Sequence, residues 1–223
     1  MGYLRLGLDE EKLAHELRAL PPKHRAAFAA SCAERLLPNY CAFAVMEQWG
    51  NPALLRQALD EAWSFLKGAH LPEETVRSLV QSIEPNIPDS DDFTTIFKDA
   101  AIDACAAVIY TLECCIDGDI QRVVWCARSA VDTIYEYLNI VGDPEIEPHG
   151  EDPAFDAWVE QAPLLRRELE KQHQDLEDLK AHPVLDANFL DRLRQTSSVT
   201  GIQPFARGLV KPPDSEAASG DRR

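Results

Sequence analysis

One carboxylate stands out in the sequence. The stretch Ala100-Ala-Ile-Asp103-Ala-Cys-Ala-Ala-Val-Ile-Tyr110 reads as a helix that is apolar on every side except at Asp103. A helix of that kind is surrounded by others, and a carboxylate inside it costs free energy unless donors meet it. The donor-rich text is Cys32-Ala-Glu-Arg-Leu-Leu-Pro-Asn-Tyr-Cys-Ala-Phe43, with Arg35, Asn39 and Tyr40 in one helical stretch. Pro38 cannot donate to the carbonyl of Glu34, which adds an acceptor in need of a partner. The expectation is that this segment, bent at Pro38, packs on the central helix and brings Arg35, Asn39 and Tyr40 to Asp103. Asp99, one turn earlier on the same face, forms the outer end of the network. Such a network either fixes helix register or lines a polar pocket for a small ligand. The third alternative is an Asp103 that is simply exposed.

Other chemistry is weakly signalled. Helix bundles hold two metals with paired Glu-x-x-His strings, and Glu170-Lys-Gln-His173 has no twin. Asp89-Ser-Asp-Asp92 lacks the glycine and the distant glutamate of a calcium loop. There is no His-Glu-x-x-His, Gly-x-Ser-x-Gly or phosphate-binding glycine loop. Cys32, Cys41, Cys105, Cys114, Cys115 and Cys126 form no Cys-x-x-Cys pair and sit in apolar helical text. They read as reduced core thiols. The six histidines are scattered, mostly near helix ends or loops. No residue is assigned as catalytic, cofactor-binding or metal-ligating, and the chain is read as more binding protein than enzyme.

The elements that must position these residues are almost all helical. Asp9 caps a helix to about Leu20, and Pro21-Pro22 opens the next. In that second helix Phe28, Cys32, Leu36, Tyr40 and Phe43 keep their phase across Pro38, which favours one continuous, bent helix over two. Asn51-Pro52 starts a third helix to Gly68, and Pro72 to Glu84 a fourth. Asp89 to Phe93 is read as the start of the central helix, by capping and by the helix dipole. That helix stops at Gly118, and Asp119 caps its partner to about Val141, giving a central helical hairpin. Residues 142–152 read as an acidic loop. Pro153 to Leu179 is helical with a break near Pro163, and Asp186 caps the last helix. The fold class is therefore all-α, a single-domain bundle of about eight helices over residues 1–202. Residues 203–223 are expected to be a disordered tail.

The chain has 223 residues and a net charge of -16. Scattered basic residues and that charge argue against a nucleic-acid surface and permit a basic partner. No signal peptide or membrane span is read, so the expected compartment is the cytoplasm.

The strings Cys32-Ala-Glu-Arg with Pro38-Asn-Tyr40 and Phe43, Leu59-Asp with Trp63, Ile87-Pro-Asp-Ser-Asp-Asp-Phe93, and Ala101-Ile-Asp103-Ala-Cys105 carry a resemblance. With a weaker match from Asp152-Pro153 through Glu168-Leu169, the chain resembles the YjaG-like family, bacterial proteins with a domain of unknown function. The likeness runs from about Leu13 to Gly201. It implies an all-helical fold and supplies no catalytic residues. Genome context has suggested a regulatory role beside sensor kinases for that family. Its members often close with Ser-Asn-Ile-Gly-Ile, where this chain has Ser198-Val-Thr-Gly-Ile202.

Three functions follow as expectations. The first is a cytoplasmic interaction or regulatory protein with one or more protein partners, for which a homo-oligomer is also compatible. The second is a small-molecule binder or enzyme with a polar pocket at Asp103. The third is an acidic inhibitor of a basic partner.

Overall fold

Helix starts in this chain are set by small polar caps and first-turn prolines, and the computed structural model, which describes residues 6–95, 97–141 and 153–199, follows them closely. Asp9 accepts a hydrogen bond from the Lys12 amide and opens α1 (Glu10–Arg18). Pro22 opens α2 (Pro22–Glu47). The Asn51 side chain accepts from the Leu54 amide at the head of α3 (Pro52–Leu66). α4 (Glu73–Ile83) ends in the 3-10 turn Glu84–Asn86. Then come α5 (Lys98–Asp117), α6 (Ile120–Val141), α7 (Pro153–Gln161), α8 (Pro163–Ala181) and α9 (Ala187–Val199). The fold is all-α, with nine α-helices and no strand among the described residues. The expected loop over 142–152 and the expected tail over 203–223 lie outside the described residues.

The centre of the bundle is α2 rather than α5, the helix expected from the sequence to be central and surrounded by others. Every residue of α2 from position 26 to 37 is buried, and α2 packs against α3, α5, α6, α8 and α9. Ala26, Ala27, Ala29, Ala30 and Ala33 on α2 face a helix equally rich in alanine, with Ala100, Ala101, Ala104 and Ala107 buried on α5. Small side chains let two backbones approach, and the enclosing helices then supply the bulky residues. α2 runs through Pro38 as one helix, as its unbroken apolar phase requires.

α5 and α6 form the antiparallel hairpin. Gly118 turns the chain with φ 65°, a left-handed conformation that glycine adopts without a Cβ penalty. A Cβ there would stand 2.7 Å from the Pro22 ring, so the turn also permits close approach of α2. Asp119 then accepts from the amides of Gln121 and Arg122, at 2.7 and 3.2 Å, to cap α6.

One boundary differs from the sequence reading. α5 begins at Lys98, not at the acidic run from Asp89. The Asp89 side chain turns back on the Asp91 amide, and the Ser90 carbonyl accepts from Lys98 Nζ. These local bonds compete with helical ones. Phe93 is meanwhile held by Phe43 and Trp49, with ring centroids 5.0 and 5.2 Å away.

Candidate functional site

The buried cation at the centre is Arg35, fully enclosed on α2. Its partners come from α8. Its Nε and Nη2 donate to the two oxygens of Glu168 at 2.9 and 2.8 Å, a bidentate pair. Nη1 donates to Asp175 Oδ2 and to the Ser31 carbonyl, each at 3.0 Å. The Ser31 hydroxyl donates to the same Asp175 oxygen at 3.0 Å, and Lys171 pairs with the other. Gln172 donates to Glu168 and to the Ala127 carbonyl of α6. Two cations therefore face two carboxylates; burial works against the Arg35 charge, and its neighbours together, Glu168 first and Asp175 among them, outweigh that and hold the guanidinium charged. Nothing in the cluster is left reactive. It is a strut that fixes α8 on α2.

Tyr40 is spent elsewhere. Its hydroxyl donates to the Asn86 carbonyl at 2.9 Å and accepts from the Asn51 amide at 3.1 Å. It thereby joins α2 to the head of α3 and the 3-10 turn. A side chain at Gly50, where φ is 87°, would collide with this hydroxyl. Asn39 is buried, and its amide nitrogen has no hydrogen-bond partner among the described residues. Glu34, also buried on α2, is met by Arg56 at 2.6 Å, by Trp63 Nε1 at 2.9 Å and by Arg194 at 3.6 Å.

Asp103 lies apart from these groups, on the side of α5 that meets α6. It is half-buried, and its one hydrogen-bond partner among the described residues is Thr133 of α6, whose hydroxyl donates at 2.7 Å. No hydrogen bond of Arg35 or Tyr40 reaches it. The expected convergence is thus divided into three places, because α5 turns Asp103 outward while α2 turns Arg35 toward α8. Burial pushes the Asp103 carboxyl up to about 7; the Thr133 bond opposes this, and Asp132, Asp99 and Glu136 add to it. Asp132 and Glu136 are themselves raised, first by burial. Asp99 does share the Asp103 face, as its spacing requires.

That face is continuous. Asp99, Asp103, Ala106, Tyr110, Glu113 and Asp117 follow at steps of three or four residues, and none is buried. Three contacts lace it to α6 in succession. Thr133 bonds Asp103, the Tyr110 ring meets Trp125 at 5.3 Å, and Arg122 donates to Glu113 at 2.8 Å. Beside the stripe, Ile102, Ile109 and Ile116 repeat every seven residues along α5 without being buried. Ile116 and Trp125 are each 40% exposed. Neither this ridge nor Trp125 is among the site residues expected from the sequence. The heptad spacing of the three isoleucines on α5 was the available signal. Glu168 and Asp175 were missed as the true partners of Arg35. Their signal was also spacing, since both share the buried side of α8 with Leu165, Leu176 and Leu179.

Chemistry at the buried groups is muted. Burial pushes the thiols of Cys32, Cys105 and Cys114 up to about 12, and those of Cys115 and Cys126 also upward. Such thiols are poor nucleophiles. Among the described residues no group of three His, Cys, Asp or Glu side chains could hold a metal ion. No described helix is long and apolar enough to cross a membrane.

Residues 12–203 match the DUF416 family, described as a protein of unknown function, and the chain belongs to that family. Its fold is similar to the crystal structure of a DUF416 family protein from Shewanella baltica OS155. That likeness has a TM-score of 0.74 at 26% identity and covers 84% of this chain and 94% of the other. Comparison with curated proteins gives no match.

Proposed function

We propose that this member of the DUF416 family is a non-catalytic interaction protein of the bacterial cytoplasm, regulatory in role, and that its protein partner docks on the outer face of α5 and α6. The YjaG-like resemblance points the same way, through the signalling context suggested for that family. The observation that carries this reading is the α5–α6 face, where Tyr110, Trp125, Ile109 and Ile116 lie beside carboxylates. Exposed apolar surface rimmed by polar groups is the mark of an interaction site, and aromatic residues supply much of the energy where proteins meet. The buried polar groups lend weight by contrast: Arg35, Glu168, Asp175 and Lys171 neutralise one another, which suits structure better than chemistry. A pocket joining Asp103 to Arg35 and Tyr40 draws no support from their separate bonding.

The test is capture from the native host. Wild-type chain is compared with Trp125→Asp and with Val184→Asp, the latter altering a residue that is 77% exposed outside α5 and α6. At least one protein should be retained by wild type and Val184→Asp and lost from Trp125→Asp. An identical set of captured proteins from all three would refute the docking face.

A further inference from the structure

We propose that the α5–α6 face seats a single basic amphipathic helix of about four turns. Its apolar side lies against Ile102, Ile109, Ile116, Tyr110 and Trp125, and one Lys or Arg is directed at Asp99, Asp103 and Glu136. This inference rests on the docking role proposed above and adds the partner's secondary structure and charge.

The helical form follows from the surface. A docked helix packs ridge into groove along the outer face of α5, which is flanked by the isoleucines on one side and on the other by Tyr110, the residue that meets Trp125 of α6. The isoleucine ridge repeats every seven residues, the period at which a facing helix brings its own apolar residues back to one seam. From Ile102 to Ile116 it spans roughly 21 Å, at 1.5 Å per residue. There is no strand among the described residues, so pairing of an extended peptide with a sheet edge has no counterpart on this surface.

The charge follows from which carboxylates already have partners. Arg122 bonds Glu113 and Asp117, and Arg128 bonds Asp132. Asp99 and Glu136 lie near enough to Asp103 to add to its raised proton affinity, and among the described residues no Lys or Arg bonds any of the three. They form a place for a cation at one end of the apolar ridge. A second copy of this chain would bring the same carboxylates face to face and carries the same net charge of -16. Like charges opposed across an interface are unfavourable. Nucleic acid and anionic lipid are disfavoured on the same ground.

A cation seated there favours ionised Asp103, so binding releases a proton. The groups facing Asp103 are Asp99 and Tyr110 on α5 and Asp132 and Glu136 on α6. Arg128 lies beyond, 3.9 Å from Glu10 of α1. With the carboxyl at about 7 before binding, the complex tightens as pH rises through neutrality.

The test titrates three synthetic helices into the isotope-labelled full chain at physiological salt, read by amide chemical shifts. One is an amphipathic Leu/Lys helix of about 18 residues. The second carries Glu for Lys, and the third carries Ser for Leu at unchanged charge. The Leu/Lys helix should saturate, with shifts confined to α5 and α6. It should lose at least about tenfold in affinity for Trp125→Asp and Ile116→Asp, whose native spectra confirm folding. Between about pH 6 and pH 8 its affinity should rise roughly threefold to tenfold, and Asp103→Asn should abolish that rise. Shifts spread over the whole acidic surface, or equal binding of the Ser/Lys helix, would overturn the proposal. Preferential binding of the Leu/Glu helix at α5–α6 would overturn the charge assignment and leave the docking face standing. Concentration-dependent shifts at α5–α6 with no peptide present would assign the face to a second copy and overturn the proposal outright.

Discussion

Asp103 is held by one hydroxyl and surrounded by other acids, so its protonation is coupled to stability. Its carboxyl is raised from an ordinary value of 3.8 to about 7 in the folded chain. The folded state therefore keeps a proton that the unfolded state gives up. The stabilisation is fully present below about pH 4 and is lost as pH rises to about 7, because over that window the native state binds more protons. Asp103→Asn replaces the carboxyl with a group that does not titrate. Its melting temperature relative to wild type should climb between about pH 5 and pH 8. Thermal unfolding of both chains across that range checks it, and a constant difference would mean that Asp103 ionises normally. The need of this residue for partners was legible in the sequence, since an acid stood in an otherwise apolar stretch. Which helix would answer it was not legible. That depends on the rotation of α5 about its own axis, and nothing local to Asp103 encodes it.

Elements are held together by groups that cross between them. Arg35 is the clearest case, because it ties α8 to α2 through two buried carboxylates. Breaking a buried pair on one side leaves charge uncompensated, whereas replacing all partners with apolar residues is often nearly neutral. Arg35→Met should therefore cost about 3–5 kcal/mol in urea unfolding. Adding Glu168→Met, Asp175→Leu and Lys171→Met to the same chain, so that no ion of the cluster is left unpaired, should restore most of that loss. No recovery in the quadruple variant would mean that the ions do more than balance one another. At this scale the sequence was largely readable. Asp9, Asn51, Asp119 and Asp186 each announced a helix start, and Gly118 announced a stop. α5 was the exception. Asp89 and Thr95 offered the same capping chemistry as a true helix start and spent it on turns, Asp89 accepting from the Asp91 amide and Thr95 from the Phe97 amide. Phe93, claimed by Phe43 and Trp49, settled the competition from a distance. The choice of α2 over α5 as the enclosed helix was likewise tertiary. Ser31, Glu34, Arg35 and Asn39 made α2 look less buried than it is, because their partners lay far along the chain.

The described residues form an all-α bundle in which Arg35 and Lys171 balance Glu168 and Asp175, and the full chain has a net charge of -16. The α5–α6 hairpin leaves one side of that bundle apolar and acidic together. Its proposed role as the docking face for a protein partner is most directly tested by site-specific photo-crosslinking in living host cells. A photoreactive amino acid is placed at Trp125, at Ile116 or, for comparison, at Val184. The account predicts a covalent adduct with a second protein from Trp125 and Ile116 and not from Val184. Adducts arising only from Val184, or the absence of any adduct at Trp125 and Ile116, would contradict it.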